Sequence, residues 1–332
     1  MPKIVYWSHG TPELYDLLRR LCPASLELQT LATGEEAERL ALAAEADAVA
    51  VAAARFTEAH LAAARCLRLV QHQGVGWQDT VAWKDLEPRG IALATTPEGT
   101  TGPVAEMAVL LALAALRRLP FADAELRRGQ WHVNALRPVS RSLAGRVVGY
   151  VGFGRIGQAA AERFGAFGTR GIYVDPQGAL SPAEDARLGV RRAASLEVLL
   201  AEADVVSLHV PVTPATRNIL DAAAIARMKP GAVLVNTARG GLVDEGALAA
   251  ALRSGRLLAA GLDVFEVEPP PADHPLLGLP NVVLTPHISA GTRDAFEEKL
   301  SAALGNIAAF FAGRPLRHAV ALPGVALLGD AK

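Results

Sequence analysis

The chain lacks the features that mark several large protein classes. Only two cysteines, Cys22 and Cys66, occur in 332 residues. They lie far apart and in no CxxC spacing, so neither a disulfide framework nor a zinc ribbon is encoded. No sign of charge dominates: 33 Lys and Arg oppose 34 Asp and Glu. The charges are interspersed, which removes the electrostatic case for nucleic acid or an anionic membrane as partner. No apolar run reaches the ~20 residues of a membrane span. The longest, Met107 to Leu116, is flanked by Glu106 and by Arg117 and Arg118 and reads as a buried helix. The N-terminal "MPKIVYWSHG" holds no signal-peptide core, and the eight histidines show no metal-ligand spacing. A cytoplasmic protein without a metal is expected.

What is present is an α/β pattern. With 51% hydrophobic residues, the length suits about two domains. In the first third, the strand-like runs KIVYW, LELQTL, DAVAVA and LRLVQHQ alternate with the helical runs PELYDLLRRL, EEAERLALAAEA and TEAHLAAARC. Thr57 is placed to cap the last of these helices. A long helix follows over Thr101 to Arg118. The Arg-rich stretch from Arg127 to Ser142, with Trp131 and Pro138, reads as an arm or long loop. A second series begins at Arg146 with six strand-like runs and ends in the helical segment TRDAFEEKLSAALGNIAAFFAG. Strands alternating with helices imply parallel sheets.

Within "RVVGYVGFGRIGQ" stand Gly152, Gly154 and Gly157, spaced GxGxxG, after an apolar strand and at the start of a helix. This is the setting in which such a loop binds a dinucleotide. The first glycine permits the turn, the second lets a pyrophosphate approach, and the third lets the helix pack on the strand. Unpaired N–H groups at the helix start attract the phosphates. The next strand-like run ends in Asp175, where an acid binds the ribose hydroxyls. Its charge repels a 2′-phosphate, and the following Pro176 and Gln177 supply no cation, so NAD is expected over NADP.

Three polar residues stand at or beyond strand ends, where open α/β sheets place their ligands. Arg239 ends "AVLVNTARGG", Glu268 follows "GLDVFEVE", and His287 lies in "VLTPHIS". An Arg fork suits a carboxylate, and a His beside a carboxylate suits proton transfer. Beside a nicotinamide, the trio implies hydride transfer to a 2-keto acid.

These segments, together with "GVG", "PVAEMAVLLALA", "HVPVTPATRNIL", "MKPGAVLVNTARGGLVDEGAL", "HPLLGLPNVVLTPHIS" and "NIAAFFAGRPL", resemble the D-isomer-specific 2-hydroxyacid dehydrogenase family over almost the whole length. The resemblance implies two doubly wound parallel-sheet domains, Rossmann-like and flavodoxin-like, with a cleft between them. Residues 1–98 and 291–332 would bind substrate, and 99–290 would bind NAD. It implies Arg239 as the anchor of substrate carboxylate and keto oxygen, His287 as acid/base, and Glu268 as the partner of His287, with Glu266 as a rival. The backbone amides of Val75 and Gly76 match its carboxylate-binding loop. Arg155 and Ile156 of the glycine loop, Thr101, Val210, Pro211, Thr237 and Ala238 match cofactor-lining positions, and Asp263 matches a residue near the nicotinamide carboxamide. The long helix and the Trp131 arm are similar to its dimer-forming region, so a homodimer is expected.

The sequence also departs from the family. Trp77 and Gln78 replace a Tyr or small apolar residue followed by Asp, and Trp77 is expected to shape the pocket. Gln73 stands where phosphite dehydrogenases carry Lys. "QHQGVGWQD" has no cation for a phosphorylated substrate. His72 either contacts substrate or caps its strand, His209 packs near the cofactor, and His274 is structural. The chain ends soon after its closing helix, so no amino-acid feedback domain is expected. The leading expectation is NAD-dependent reduction of glyoxylate, hydroxypyruvate or a pyruvate-like acid. The alternatives are an NAD-responsive corepressor-like protein and a phosphite or phosphoglycerate dehydrogenase.

Overall fold

Runs such as Ala48–Val51 and Val205–Leu208 are buried at every position. Such strands have no solvent face, which is the condition of a parallel sheet covered by helices on both sides. A computed structural model describes residues 1–322 except 53 and 177, so Gln177 lies outside the described residues. The chain divides into two units, Met1–Thr100 with Ala290–Lys332, and Thr101–Ser289.

The first unit contains β1 (Lys3–Tyr6), α1 (Pro12–Leu21), β2 (Glu27–Thr30), α2 (Glu36–Glu45), β3 (Ala48–Val51), α3 (Glu58–Ala63), β4 (Leu69–His72) and β5 (Ala92–Ala94). Its sheet is parallel throughout, in the order β2-β1-β3-β4-β5. That is the flavodoxin-like order. Thr57 caps α3, its side chain accepting from the His60 amide while the His60 ring accepts from the Thr57 amide. Strand β5 was not anticipated, because three residues are too few to show a period.

The second unit contains α4 (Thr101–Leu116), α5 (Leu119–Arg127), α6 (Val133–Leu136), β6 (Val147–Val151), α7 (Arg155–Gly165), β7 (Arg170–Val174), α8 (Pro182–Leu188), β8 (Val190–Arg192), α9 (Leu196–Glu202), β9 (Val205–Leu208), α10 (Ala222–Arg227), β10 (Val233–Asn236), α11 (Glu245–Arg253), β11 (Ala259–Leu262) and β12 (Val282–Leu284). Its seven parallel strands run β12-β11-β10-β9-β6-β7-β8. Counted from β6, this is the Rossmann order extended by one strand. The sequence pattern missed β8, an edge strand whose two arginines are exposed. The Arg-rich stretch also differs from a plain loop. It is preceded by α5, which Arg118 caps in the left-handed region at φ 50°, and within it α6 forms one turn after Trp131.

Helix α4 is apolar nearly all round and packs on the sheet. A Cβ on Gly261 of β11 would fall 2.7 Å from the Leu111 Cβ, so glycine permits that contact.

The last helix, α12 (Arg293–Phe311), returns to the first unit. There Asn306 donates to Gln71 Oε1 at 2.9 Å, and Gln71 Nε2 donates to Thr96 Oγ1 at 2.9 Å. This buried polar chain ties the helix to β4. Lys299 of the same helix is 6% exposed. No ion pair is recorded for it among the described residues, and burial lowers its pKa. A folded-state pKa below the unfolded value means that the charged amine costs stability at neutral pH, a cost that fades as pH rises through the folded value. Lys299→Met is therefore expected to raise the Tm of its unit by about 2–4 °C, the scale of ~1 kcal/mol in a domain of roughly 150 residues. Calorimetry at neutral pH checks this, and an unchanged or lower Tm would contradict it.

Candidate active site

The switch in strand order falls between β6 and β9, and open α/β sheets bind their ligands at the carboxyl ends of the strands flanking it. The glycine loop leaves β6 at that point. Gly152 has φ 91°, and a Cβ there would lie 2.7 Å from the His209 carbonyl. A Cβ on Gly157 would lie 2.5 Å from the Gly152 oxygen. Packing alone therefore demands these two glycines. Gly154 differs: nothing lies within 4 Å of where its Cβ would be. It also precedes α7 without any side-chain cap. The bare helix start and the open space beside Gly154 are what a pyrophosphate requires. Arg155 and Ile156 are the first two residues of that helix.

Asp175 directly follows β7, and its Oδ2 accepts from the Phe153 amide at 2.6 Å. Val210 and Pro211 follow β9, Thr237 and Ala238 follow β10, and Thr101 begins α4. Apart from Thr101, these positions form a row along the carboxyl edge of the sheet. His209 is half-buried beside the glycine loop, its Nε2 2.9 Å from Ser207 Oγ. Burial pushes its pKa down to about 4, so it stays neutral.

The row continues to the acid–base candidates. His287 Nδ1 lies 2.7 Å from Glu268 Oε2, with both side chains more than a third exposed. Glu268 Oε1 accepts from the Phe265 amide at 3.0 Å. Burial alone would raise the Glu268 pKa. The His287 hydrogen bond, the Phe265 amide and the charges of His287 and Arg239 outweigh it and hold the carboxyl below its ordinary value. Glu266 turns elsewhere, pairing with Arg217 at 3.0 Å. Its amide donates to Glu245 Oε1 at 3.0 Å, and Glu245 Oε2 lies 2.9 Å from His274 Nε2. His274 thus helps to hold the loop that carries Glu268.

His287 adopts φ 54°, a left-handed conformation that costs a non-glycine residue about 1–3 kcal/mol. Such a backbone persists only where its surroundings impose it, and Asp263 does so. The Asp263 carbonyl accepts from the His287 amide at 2.7 Å. Its fully buried carboxylate accepts from Thr285 Oγ1 at 2.5 Å, the Ile288 amide at 2.9 Å, the Ser289 amide at 2.8 Å and the Ser289 hydroxyl. The sequence had pointed to Asp263 but not to Thr285 and Ser289, whose spacing around His287 was the available signal.

Arg239 ends the β10 run, with Nη1 donating to the Ala238 carbonyl at 2.8 Å. A Cβ on Gly240 would fall 1.8 Å from the Phe265 carbonyl carbon. Only glycine lets the Arg239 loop press against the loop leading to Glu268. The second unit therefore brings Arg239, Glu268, Asp263 and His287 together. Beside His287 and Glu268 lies a cavity of about 410 Å³, walled by Phe265, Pro269, Leu277 and Leu284.

Val75, Gly76 and Trp77 lie in the first unit, in the turn after β4. Val75 is 40% exposed, whereas the Trp77 ring packs edge-on against Trp83 at 5.6 Å, partly in the core of that unit. His72 is buried at the end of β4. Among the described residues no group of three or more His, Cys, Asp or Glu could hold a metal ion, and no helix is long and apolar enough to cross a membrane.

Residues 109–289 match the family model of the D-isomer specific 2-hydroxyacid dehydrogenase NAD binding domain. The chain is 46% identical over 235 residues to a D-3-phosphoglycerate dehydrogenase of Mycobacterium bovis, covering 71% of this chain and 43% of that protein. It thus spans less than half the length of that relative. It is 41% identical over 245 residues to a hydroxypyruvate reductase of Thermotoga maritima, covering 73% and 77% of the two chains. The solved glyoxylate reductase of Paecilomyes thermophila superposes with a TM-score of 0.80 at 29% identity, covering 93% of this chain and 94% of that one. With more than half its length matched to the family's nucleotide domain, the chain belongs to the D-isomer specific 2-hydroxyacid dehydrogenase family.

Proposed function

We propose that the chain is an NAD-dependent D-2-hydroxyacid dehydrogenase that interconverts a small unphosphorylated 2-keto acid with its 2-hydroxy acid. The observation that carries this reading is the 2.7 Å His287–Glu268 pair beyond the sheet's carboxyl edge, with Arg239 beside it. Glyoxylate, hydroxypyruvate and pyruvate-like acids are the substrates in view.

The bare start of α7, with Arg155 and Ile156, would hold the pyrophosphate, and Asp175 the adenosine ribose. Thr101, Val210, Pro211, Thr237 and Ala238 would line the rest of the cofactor. NADH, when bound, supplies a hydride to the carbonyl carbon. Arg239 grips the substrate carboxylate and faces the keto oxygen, where negative charge develops. In the first unit, the Val75 and Gly76 amides and the Trp77 side chain are the residues proposed to bind substrate. With Nδ1 engaged by Glu268, His287 presents Nε2 as the atom that gives or takes the proton. Asp263, proposed to lie near the nicotinamide carboxamide, also holds the His287 turn through the four hydrogen bonds its carboxylate accepts.

Residues 1–98 and 291–332 are read as the substrate domain and 99–290 as the NAD domain. A cytoplasmic homodimer is the proposed form. Leu110, Leu119, Leu126 and Trp131 support the dimer, each more than half exposed. Sedimentation at micromolar concentration tests it.

A second reading is oxidation of a phosphorylated hydroxy acid, favoured by the identity to phosphoglycerate dehydrogenases. Steady-state NADH oxidation with glyoxylate, hydroxypyruvate, pyruvate and 3-phosphohydroxypyruvate separates the two. The unphosphorylated acids are expected to have the higher kcat/KM. A preference for the phosphorylated acid would favour the second reading. NADH binding without turnover of any of them would leave an NAD-responsive binding protein.

A further inference from the structure

The residues that follow Asp175 in sequence offer no cation, but the neighbouring strand does. Strand β8 pairs with β7 so that Arg192 lies opposite Tyr173. The Ala193 amide then donates to the Tyr173 carbonyl at 2.7 Å. Arg192 is thus the last residue of β8, at the carboxyl edge of the sheet. Its side chain reaches past the end of β7, and Nη2 donates to the Asp175 carbonyl at 3.2 Å. The guanidinium is exposed, and no carboxylate forms an ion pair with it among the described residues. Arg191, one residue earlier, pairs instead with Glu202.

We propose that Arg192 is a second determinant of cofactor choice, a ready-made partner for a 2′-phosphate held in check by Asp175. The inference rests on Asp175 as the ribose-binding acid. A ribose hydroxyl donates to that carboxylate, whereas a phosphate is repelled by it and attracted by the guanidinium. The two groups act in opposite directions on one position of the ligand. Removing the acid alone therefore leaves a cation already in place, and the site becomes selective for the phosphorylated nucleotide. Removing both groups leaves no discrimination.

Calorimetric titration of the full chain with ADP and with adenosine 2′,5′-bisphosphate tests this without turnover. Asp175→Asn, which keeps an oxygen to accept from the Phe153 amide, is expected to strengthen bisphosphate binding relative to ADP. The expected gain is about ten- to a hundred-fold, the scale of one charge-assisted hydrogen bond. Arg192→Ala in that background should remove most of the gain, and Arg192→Lys should keep part of it. In the wild-type background, Arg192→Ala should weaken the bisphosphate more than ADP. A gain that survives Arg192→Ala, or equal loss of both probes, would overturn the proposal while leaving the nucleotide site intact. If Asp175→Asn moves neither probe, or ADP does not bind at all, the reading of Asp175 fails and the inference fails with it.

Discussion

His287→Ala is expected to lower kcat for keto-acid reduction by about 10²–10⁴-fold, the usual scale of general acid–base catalysis. NADH affinity should hardly change, because the residues assigned to the cofactor lie on other strands and loops. The ring is fixed in position by the Asp263 clamp and in orientation by Glu268 at 2.7 Å. Removing it leaves the keto oxygen without a proton donor but leaves the scaffold standing. A wild-type rate in this variant would remove His287 from the chemistry.

The same pair sets a pH dependence. The Glu268 carboxyl is held below its ordinary value, so it stays charged at neutral pH. Its support of His287 is present above the ordinary carboxyl pKa and is lost as pH falls through the lower, folded value. Glu268→Gln keeps a hydrogen-bond acceptor but has no titrating carboxyl, so the part of the acid limb of the reduction rate that Glu268 sets should disappear. A kcat–pH profile whose acid limb is the same in this variant would contradict this coupling.

Arg239→Ala is the second large effect expected, a fall of about 10²–10³-fold in kcat/KM for the keto acid. Truncating one partner of a hydrogen-bonded charge pair costs about 2–5 kcal/mol, and each 1.4 kcal/mol is roughly tenfold. The loss should appear in both KM and kcat, since the guanidinium both anchors the carboxylate and faces the developing charge. Arg239→Lys should recover only part of it, because an ammonium lacks the planar fork. The Arg239 charge also helps to keep Glu268 ionised, so the alanine variant should lose activity earlier on acidification. Steady-state kinetics over a pH series reads both effects. An unchanged KM with an unchanged acid limb would show that Arg239 touches neither substrate nor the pair.

The parts of the fold and site that were legible in the sequence are those with local causes. The glycine spacing after an apolar strand marked the β6–α7 turn, and alternation marked the buried strands of both sheets. The missing pieces have short or non-local causes. Strand β5 has three residues, and β8 is an edge strand carrying Arg191 and Arg192, so neither shows a period. Three side-chain roles were invisible because they depend on tertiary contacts. Glu266 faces Arg217 rather than His287. Trp77 packs on Trp83. Arg192 reaches Asp175 across two paired strands, although they are 17 residues apart in sequence. The choice between Glu266 and Glu268 rests on the direction of the side chains in one loop, which no spacing rule encodes.

The most direct measurement is product analysis after reduction of a prochiral keto acid, such as hydroxypyruvate, with NADH carrying deuterium at the transferable position. The account predicts the D-2-hydroxy acid with deuterium at carbon 2, formed in equal amount to the NAD released, and almost none from His287→Ala. NADH that binds but yields no hydroxy acid, or a product of L configuration, would contradict it.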